Sequence, residues 1–177
     1  GDALPRHYRF DRPFGIPVRY HDFREMVPKS NLDLVEFHLS YKDLDARPED
    51  HMSGTSDLEF LVHAPELFAH DHVLDLATED EAHRMRSISE LTRVIVLTRA
   101  LKKYFPQTVR PRIIVNMGGF TQEKHLPKEA RAAQYERLSR SLRELDTEGV
   151  ELLAQTMPPF PWHFGGQRYH NLFVDPG

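Results

Sequence analysis

Leu34-Val35-Glu36-Phe37-His38-Leu39-Ser40 alternates apolar and polar residues without a break. A period of two is the pattern of a strand rather than a helix. Val35, Phe37 and Leu39 fall on one face, and Glu36, His38 and Ser40 on the other. The apolar face suits a layer of helices, and the polar face suits a lumen or a binding site.

Three later segments have the same character. Leu58-Glu59-Phe60-Leu61-Val62-His63 reads as a strand and runs into Ala64-Pro65-Glu66. Arg112-Ile113-Ile114-Val115-Asn116-Met117 reads as another, stopped by Gly118-Gly119, and Val150-Glu151-Leu152-Leu153-Ala154-Gln155 as a fourth. Two helices separate the last three. Thr78-Glu79-Asp80-Glu81 has capping-box spacing and predicts a helix from about Glu79 to Tyr104. Ile88, Leu91, Val94, Leu97 and Leu101 form its buried stripe, and Pro106 ends it. Pro127 opens the second, with Tyr135, Leu138, Leu142 and Leu145 as its stripe and Gly149 after its end. Alternating strands and helices imply parallel strands joined by helical crossovers. The expectation is an α/β chain: the N-terminal half of a parallel (β/α) barrel, about four strands, occupying 32–177 and truncated at its C-terminus. Residues 1–31, rich in Pro, Arg and aromatics, read as a leader or the remnant of a preceding domain. Residues 156–167 read as a long loop.

Composition narrows the function classes. The chain has 177 residues, 40% hydrophobic and 28% charged, with a net charge of -4. No global basic field exists to draw in nucleic acid or an anionic membrane, so neither is expected as a partner. No apolar run approaches the length of a membrane span. The absence of cysteine excludes disulfides, thiolate metal sites and cysteine nucleophiles, and fits a cytoplasmic setting. Eleven histidines make imidazole chemistry the natural place to look.

In a parallel barrel the active site gathers at the C-terminal ends of the strands. The residues there are His38 and Ser40, His63 and Glu66, Asn116, and Gln155 with Thr156. His63, Glu66 and His38 are the candidate catalytic residues. Glu36, Asn116, Gln155, Trp162, His163 and Gln167 are the candidate lining of a substrate pocket. His70 and His72 read as solvent-exposed, and His83 as an inert residue on the polar side of its helix. The helix arginines, Arg84 among them, alternate with acids and read as solvated faces.

At these same positions the sequence resembles the xylose-isomerase-like barrels, the superfamily of sugar phosphate isomerases/epimerases and endonuclease IV. Val62-His63-Ala64-Pro65 looks like that family's second-strand motif. Ile113-Ile114-Val115-Asn116-Met117-Gly118-Gly119 looks like its third strand, and Leu153-Ala154-Gln155-Thr156-Met157-Pro158 like its fourth. Phe14-Gly15-Ile16-Pro17-Val18-Arg19-Tyr20-His21-Asp22 and Glu36-Phe37-His38-Leu39-Ser40 extend the likeness from Arg9 to Pro176. It is nearest to the isomerase-like domains fused behind sialic acid synthase domains.

The resemblance implies a barrel of TIM type, a small sugar substrate and a divalent metal (Mn, Mg or Zn), with His63 matching a common ligand. Two positions depart from the pattern: Asn116 stands where the family usually has His, and Gln155 where it usually has Glu. Neutral amides hold a hard cation far less well than a carboxylate, so weak or absent metal binding is expected. Three readings follow. One is a sugar or sugar-phosphate isomerase/epimerase, linked to sialic-acid-type synthesis. Another is an accessory domain of a larger synthase that has lost its metal. The third, a nuclease, is disfavoured by the acidic balance. A four-stranded arc leaves an inner face uncovered, so an attached partner domain or self-association is expected.

Overall fold

In the computed structural model, residues 15–19, 22–23, 33–122, 124–157, 162–163 and 167–173 are described. The elements run β1 (Gly15–Val18), β2 (Leu34–His38), a 3-10 turn at Tyr41–Asp45, α1 (Pro48–His51), β3 (Glu59–His63), β4 (Leu67–Phe68), a second 3-10 turn at Ala69–Asp71, β5 (His72–Val73), α2 (Glu81–Lys102), β6 (Arg112–Val115), β7 (Phe120–Thr121), α3 (Lys128–Glu144), β8 (Glu151–Ala154), β9 (Trp162–His163) and β10 (Gln167–His170).

The main sheet has the order β1-β2-β3-β6-β8, and every neighbouring pair is parallel. Each strand lies beside the one that precedes it within this sheet. That is the singly wound order of a barrel, with no reversal of direction across the sheet. The four expected strands are present. The count is nonetheless five, because Gly15–Val18, inside the stretch read as a leader, pairs with Leu34–Phe37. Residues 1–14, 20–21 and 24–31 of that stretch, and residues 158–161 and 164–166 of the last loop, lie outside the described residues.

Alternation sorts the side chains as the period requires. Val35, Phe37, Phe60, Val62, Ile113 and Val115 are all buried on the helix-facing side. Leu91, Val94, Ile95 and Leu101 of α2 join the same core. Phe37 sits at the centre of an aromatic group, 5.6 Å from Phe23, 6.2 Å from Phe60 and 5.7 Å from Phe105, in tilted and edge-on contacts. Burying side chains of this size stabilises the fold by about 1.5–3 kcal/mol each.

The helices differ from expectation in detail. The N-cap of α2 is Asp80, whose carboxylate accepts from the His83 amide at 3.0 Å, while Thr78 accepts from the Asp80 amide one step earlier. Arg84, read as part of a solvated face, is buried. Its guanidinium donates to Glu81 in the same helix, and to Ser141 Oγ at 3.0 Å and Glu144 Oε1 at 3.1 Å in α3. It therefore ties the two crossover helices together. Tyr135 leaves the expected stripe and is 42% exposed, but its hydroxyl accepts from the Phe173 amide.

The last loop also carries structure. Trp162–His163 and Gln167–His170 pair antiparallel, and β10 pairs with β7, which follows β6. A small ribbon thus hangs from the C-terminal end of the sheet. Among the described residues no helix is long and apolar enough to cross a membrane.

Candidate functional site

The inner face of the sheet, opposite the aromatic core, carries Glu36 and His38 from β2 and His63 from β3. Parallel register pairs His38 directly with His63. Their imidazoles stack with centroids 4.1 Å apart and planes inclined by only 15°. Glu36, two residues before His38 and so on the same face, turns its carboxylate to both rings. One oxygen, Oε2, lies 3.6 Å from His38 Nε2 and 3.5 Å from His63 Nε2. All three donor atoms fall within 4.8 Å of one another.

The electrostatics of this trio are specific. Burial lowers the pKa of His63, and the neighbouring His38 lowers it further; the Glu36 carboxylate pulls the other way, by charge and by hydrogen bonding. At neutral pH the ring of His63 is therefore a free base, with a lone pair for a proton or a metal. His38 Nε2 is shielded from water and has no hydrogen-bond partner. A buried, unpaired ring nitrogen is costly unless it is a ligand or a proton carrier. Two imidazoles and one carboxylate are a donor set that suits a divalent transition metal such as zinc, iron or manganese. The residues present thus fit a metal.

The other expected site residues are placed as follows. Asn116 and Gln155 follow β6 and β8, so four parallel strands deliver His38, His63, Asn116 and Gln155 to one end of the sheet. Asn116 is half-buried, and its Oδ1 accepts from the Gly118 amide at 3.2 Å, holding its own turn. Gln155 extends the ladder through its amide, which donates to the Val115 carbonyl at 2.8 Å. Glu66 is not part of the trio; it lies beyond Pro65, and its carbonyl accepts from the Leu74 amide. The carboxylate of the cluster is Glu36, which sequence reasoning had assigned to substrate binding. For Trp162, His163 and Gln167 the ribbon pairing is described, with His163 opposite Gln167, and their side chains lie outside the described residues.

His72, read as exposed, is in fact enclosed. His72 is buried, with Nε2 at 3.0 Å from Ser87 Oγ, and His83 stacks on it at 4.2 Å. His170 is buried against Phe120.

One residue at the site was missed. Arg19 follows β1, and the register that sets Val18 against Phe37 puts Arg19 in the row of His38. Its guanidinium reaches the His38 carbonyl at 3.5 Å, and the side chain is exposed. The signal was a lone arginine directly after the apolar Ile16-Pro17-Val18, in a segment too short to show alternation.

Comparison with known proteins agrees with this geometry. The sequence model of the xylose isomerase-like TIM barrels matches residues 22–173. No curated protein and no solved structure matches the chain.

Proposed function

This chain belongs to the xylose isomerase-like TIM barrel family, and from that premise we propose that it is a sugar or sugar-phosphate isomerase/epimerase domain centred on Glu36, His38 and His63. The observation that carries the reading is the convergence of two stacked imidazoles on one carboxylate oxygen at the catalytic end of a parallel sheet.

Isomerisation or epimerisation of a sugar moves a proton to or from a carbon next to a carbonyl. His63, with its pKa lowered by burial, offers one lone pair, which accepts that proton where no cation is bound and ligates the cation where one is. Glu36 holds the ring in place and balances the positive charge that forms on it. A divalent cation, held by Glu36, His38 and His63, would supply Lewis-acid polarisation of a substrate oxygen. Asn116 and Gln155 at the strand ends bind hydroxyls, and Trp162, His163 and Gln167 are proposed as further substrate contacts. Arg19 sits where a negatively charged substituent of the substrate would meet it. The likeness to isomerase-like domains fused behind sialic acid synthases directs the first substrate panel to amino sugars and their phosphates. The open inner face is covered by an attached domain or a second copy.

The test is solvent exchange. Aldoses, ketoses and amino sugars, free and phosphorylated, are incubated with the protein and manganese in deuterated water. Deuterium should appear at the carbon beside the carbonyl in at least one of them, and His63→Ala should abolish it. A protein that binds no manganese and exchanges none of the panel is instead the accessory domain. The neutral amides at Asn116 and Gln155 favour that second reading, because they add no charge to a cation site.

A further inference from the structure

A cavity of about 550 Å³ opens beside the C-terminal ends of β3 and β6, lined on one wall by Asp75, Thr78, Asp80 and His83 and on the other by Phe120, Thr121, Gln122, Lys124 and Leu126. It shares no residue with the Glu36–His38–His63 cluster. The first wall is the approach to α2 and its first turn, and the second is β7 with the loop that follows it.

Asp75 is the built element. It is only 6% exposed. Both hydrogen bonds to its carboxylate fall on Oδ1, from the Ala77 amide at 2.9 Å and the Gly119 amide at 3.0 Å. Among the described residues none donates to Oδ2, and Asp75 lines the cavity. Gly118 makes this closeness feasible: it has φ +91, and a Cβ there would meet Asp75 Oδ1 at 2.3 Å. Burial raises the Asp75 pKa, and the Gly119 and Ala77 amides together with the charges of His83 and Arg137 offset only part of it.

The neighbouring groups have the same polarity. His83 Nε2 lies 2.7 Å from the Val73 carbonyl, which only accepts, so Nε2 carries the proton. Asp80 caps α2 through Oδ1 alone, and its Oδ2 is a second carboxylate acceptor on this wall. The wall thus presents acceptors to the cavity, two of them carboxylates. A ligand that complements it brings donors and a positive charge. Thr78, Gln122 and Lys124 on the remaining lining suit oxygens carried on the same small molecule, and the Phe120 ring suits its carbon skeleton.

We propose that this cavity is a second binding site, for a small molecule bearing a protonated amine beside hydroxyl groups, with the ammonium seated on Asp75 and Asp80. The inference is independent of the isomerase reading, because it uses none of the same residues.

The experiment titrates the isotope-labelled protein with ethanolamine near neutral pH, and in parallel with ethylene glycol, which has a similar size and no charge. The readout is the backbone amide signals of Ala77 and Gly119, which donate to Asp75. Saturable shifts with ethanolamine and none with ethylene glycol are expected. Asp75→Asn retains an Oδ1 acceptor for both amides and should weaken binding about tenfold or more, the loss of a charged hydrogen bond. Asp80→Asn keeps a good helix cap and carries the test if Asp75→Asn does not fold; it too should weaken binding. His63→Ala should leave the affinity unchanged. No saturable shift, an equal response to ethylene glycol, unchanged affinity in the folded variants, or loss of binding in His63→Ala would each overturn the proposal.

Discussion

The two faces of the parallel sheet are made from alternate residues of the same strands, yet they obey different rules. On the outer face Val35, Phe37, Val62, Ile113 and Val115 are each 0% exposed. On the inner face the side chains of Glu36, His38 and His63 are 32%, 41% and 26% exposed. The outer face therefore holds most of what sets stability, and the inner face presents the titratable cluster. Phe37 is the immediate neighbour of both Glu36 and His38 along the strand, so single substitutions can address either property alone.

The largest effect should come from the outer face. Phe37→Ala removes a ring that touches Phe23, Phe60 and Phe105 and leaves a cavity in a close-packed region. Denaturant unfolding should show a loss of about 3–5 kcal/mol. A loss under about 1 kcal/mol would mean that the core relaxes around the gap and that the contrast between the faces is weaker than the packing indicates.

The next effect belongs to a polar group that behaves like the outer face. Burial, then the charge of His83, then that of Arg86, lower the pKa of His72 to about 4. The unfolded ring titrates at the ordinary imidazole value of 6.5, so between these values the unfolded chain binds the extra proton. Stability from this group is fully present above the unfolded value and is lost as pH falls through the window to the folded value. The loss approaches about 3 kcal/mol. Asp75 acts in the opposite sense, because its raised pKa lets the folded state bind the proton first. Comparing unfolding of the wild type with His72→Gln across that window isolates the histidine; parallel curves for the two proteins would refute the assignment.

How far the sequence could be read follows the same division. Alternation of apolar and polar residues located β2, β3, β6 and β8, because water enforces that pattern wherever one face is buried. It missed β1, since Gly15-Ile16-Pro17-Val18 is short and contains a proline, which is tolerated because β1 lies at the edge of the described sheet. His38 and His63 were legible as strand-end residues. Their contact with Glu36 was not, because it depends on the register that sets His38 against His63. Arg84 and His72 were misread for one reason. Arg84 has Glu81 one turn away, which looks like a surface pair, and the groups that make its burial tolerable, Ser141 and Glu144, come from a different helix. His72 is satisfied by Ser87, likewise supplied from a distant element. Burial of a polar side chain is a tertiary property that local pattern does not record.

On the inner face the expected changes are chemical. Glu36→Gln should alter stability by about 1 kcal/mol or less, as befits a partly exposed position. It removes the one influence that raises the His63 pKa, leaving burial and His38 to lower it. The His63 titration followed by proton resonance should therefore move to lower pH, and affinity for manganese or zinc by calorimetry should fall. An unmoved titration would show that the carboxylate does not act on the ring.

The smallest expected effect tests whether the inner face stands open. Leu153 is the residue of β8 that pairs with Ile114, and through Ile114 it belongs to the row of His63 and His38. It is 36% exposed, an unusual position for a leucine in the middle of a strand. On the outer face such a residue would be sealed by α2, and a polar replacement would be severe. Here Leu153→Thr keeps a residue suited to a strand and gives up an area that water already reaches in part. Unfolding of the isolated chain should change by about 1 kcal/mol or less. Leu153→Lys should be nearly as well tolerated by the isolated chain, but it should weaken association if a second copy covers this face, because burying an unpaired ammonium is costly. Light scattering on both variants and the wild type separates the cases. A wild type that self-associates and a Leu153→Lys variant that does not would make the inner face the contact. A monomeric wild type that binds no apolar dye would remove the uncovered face, and with it the need for any partner there.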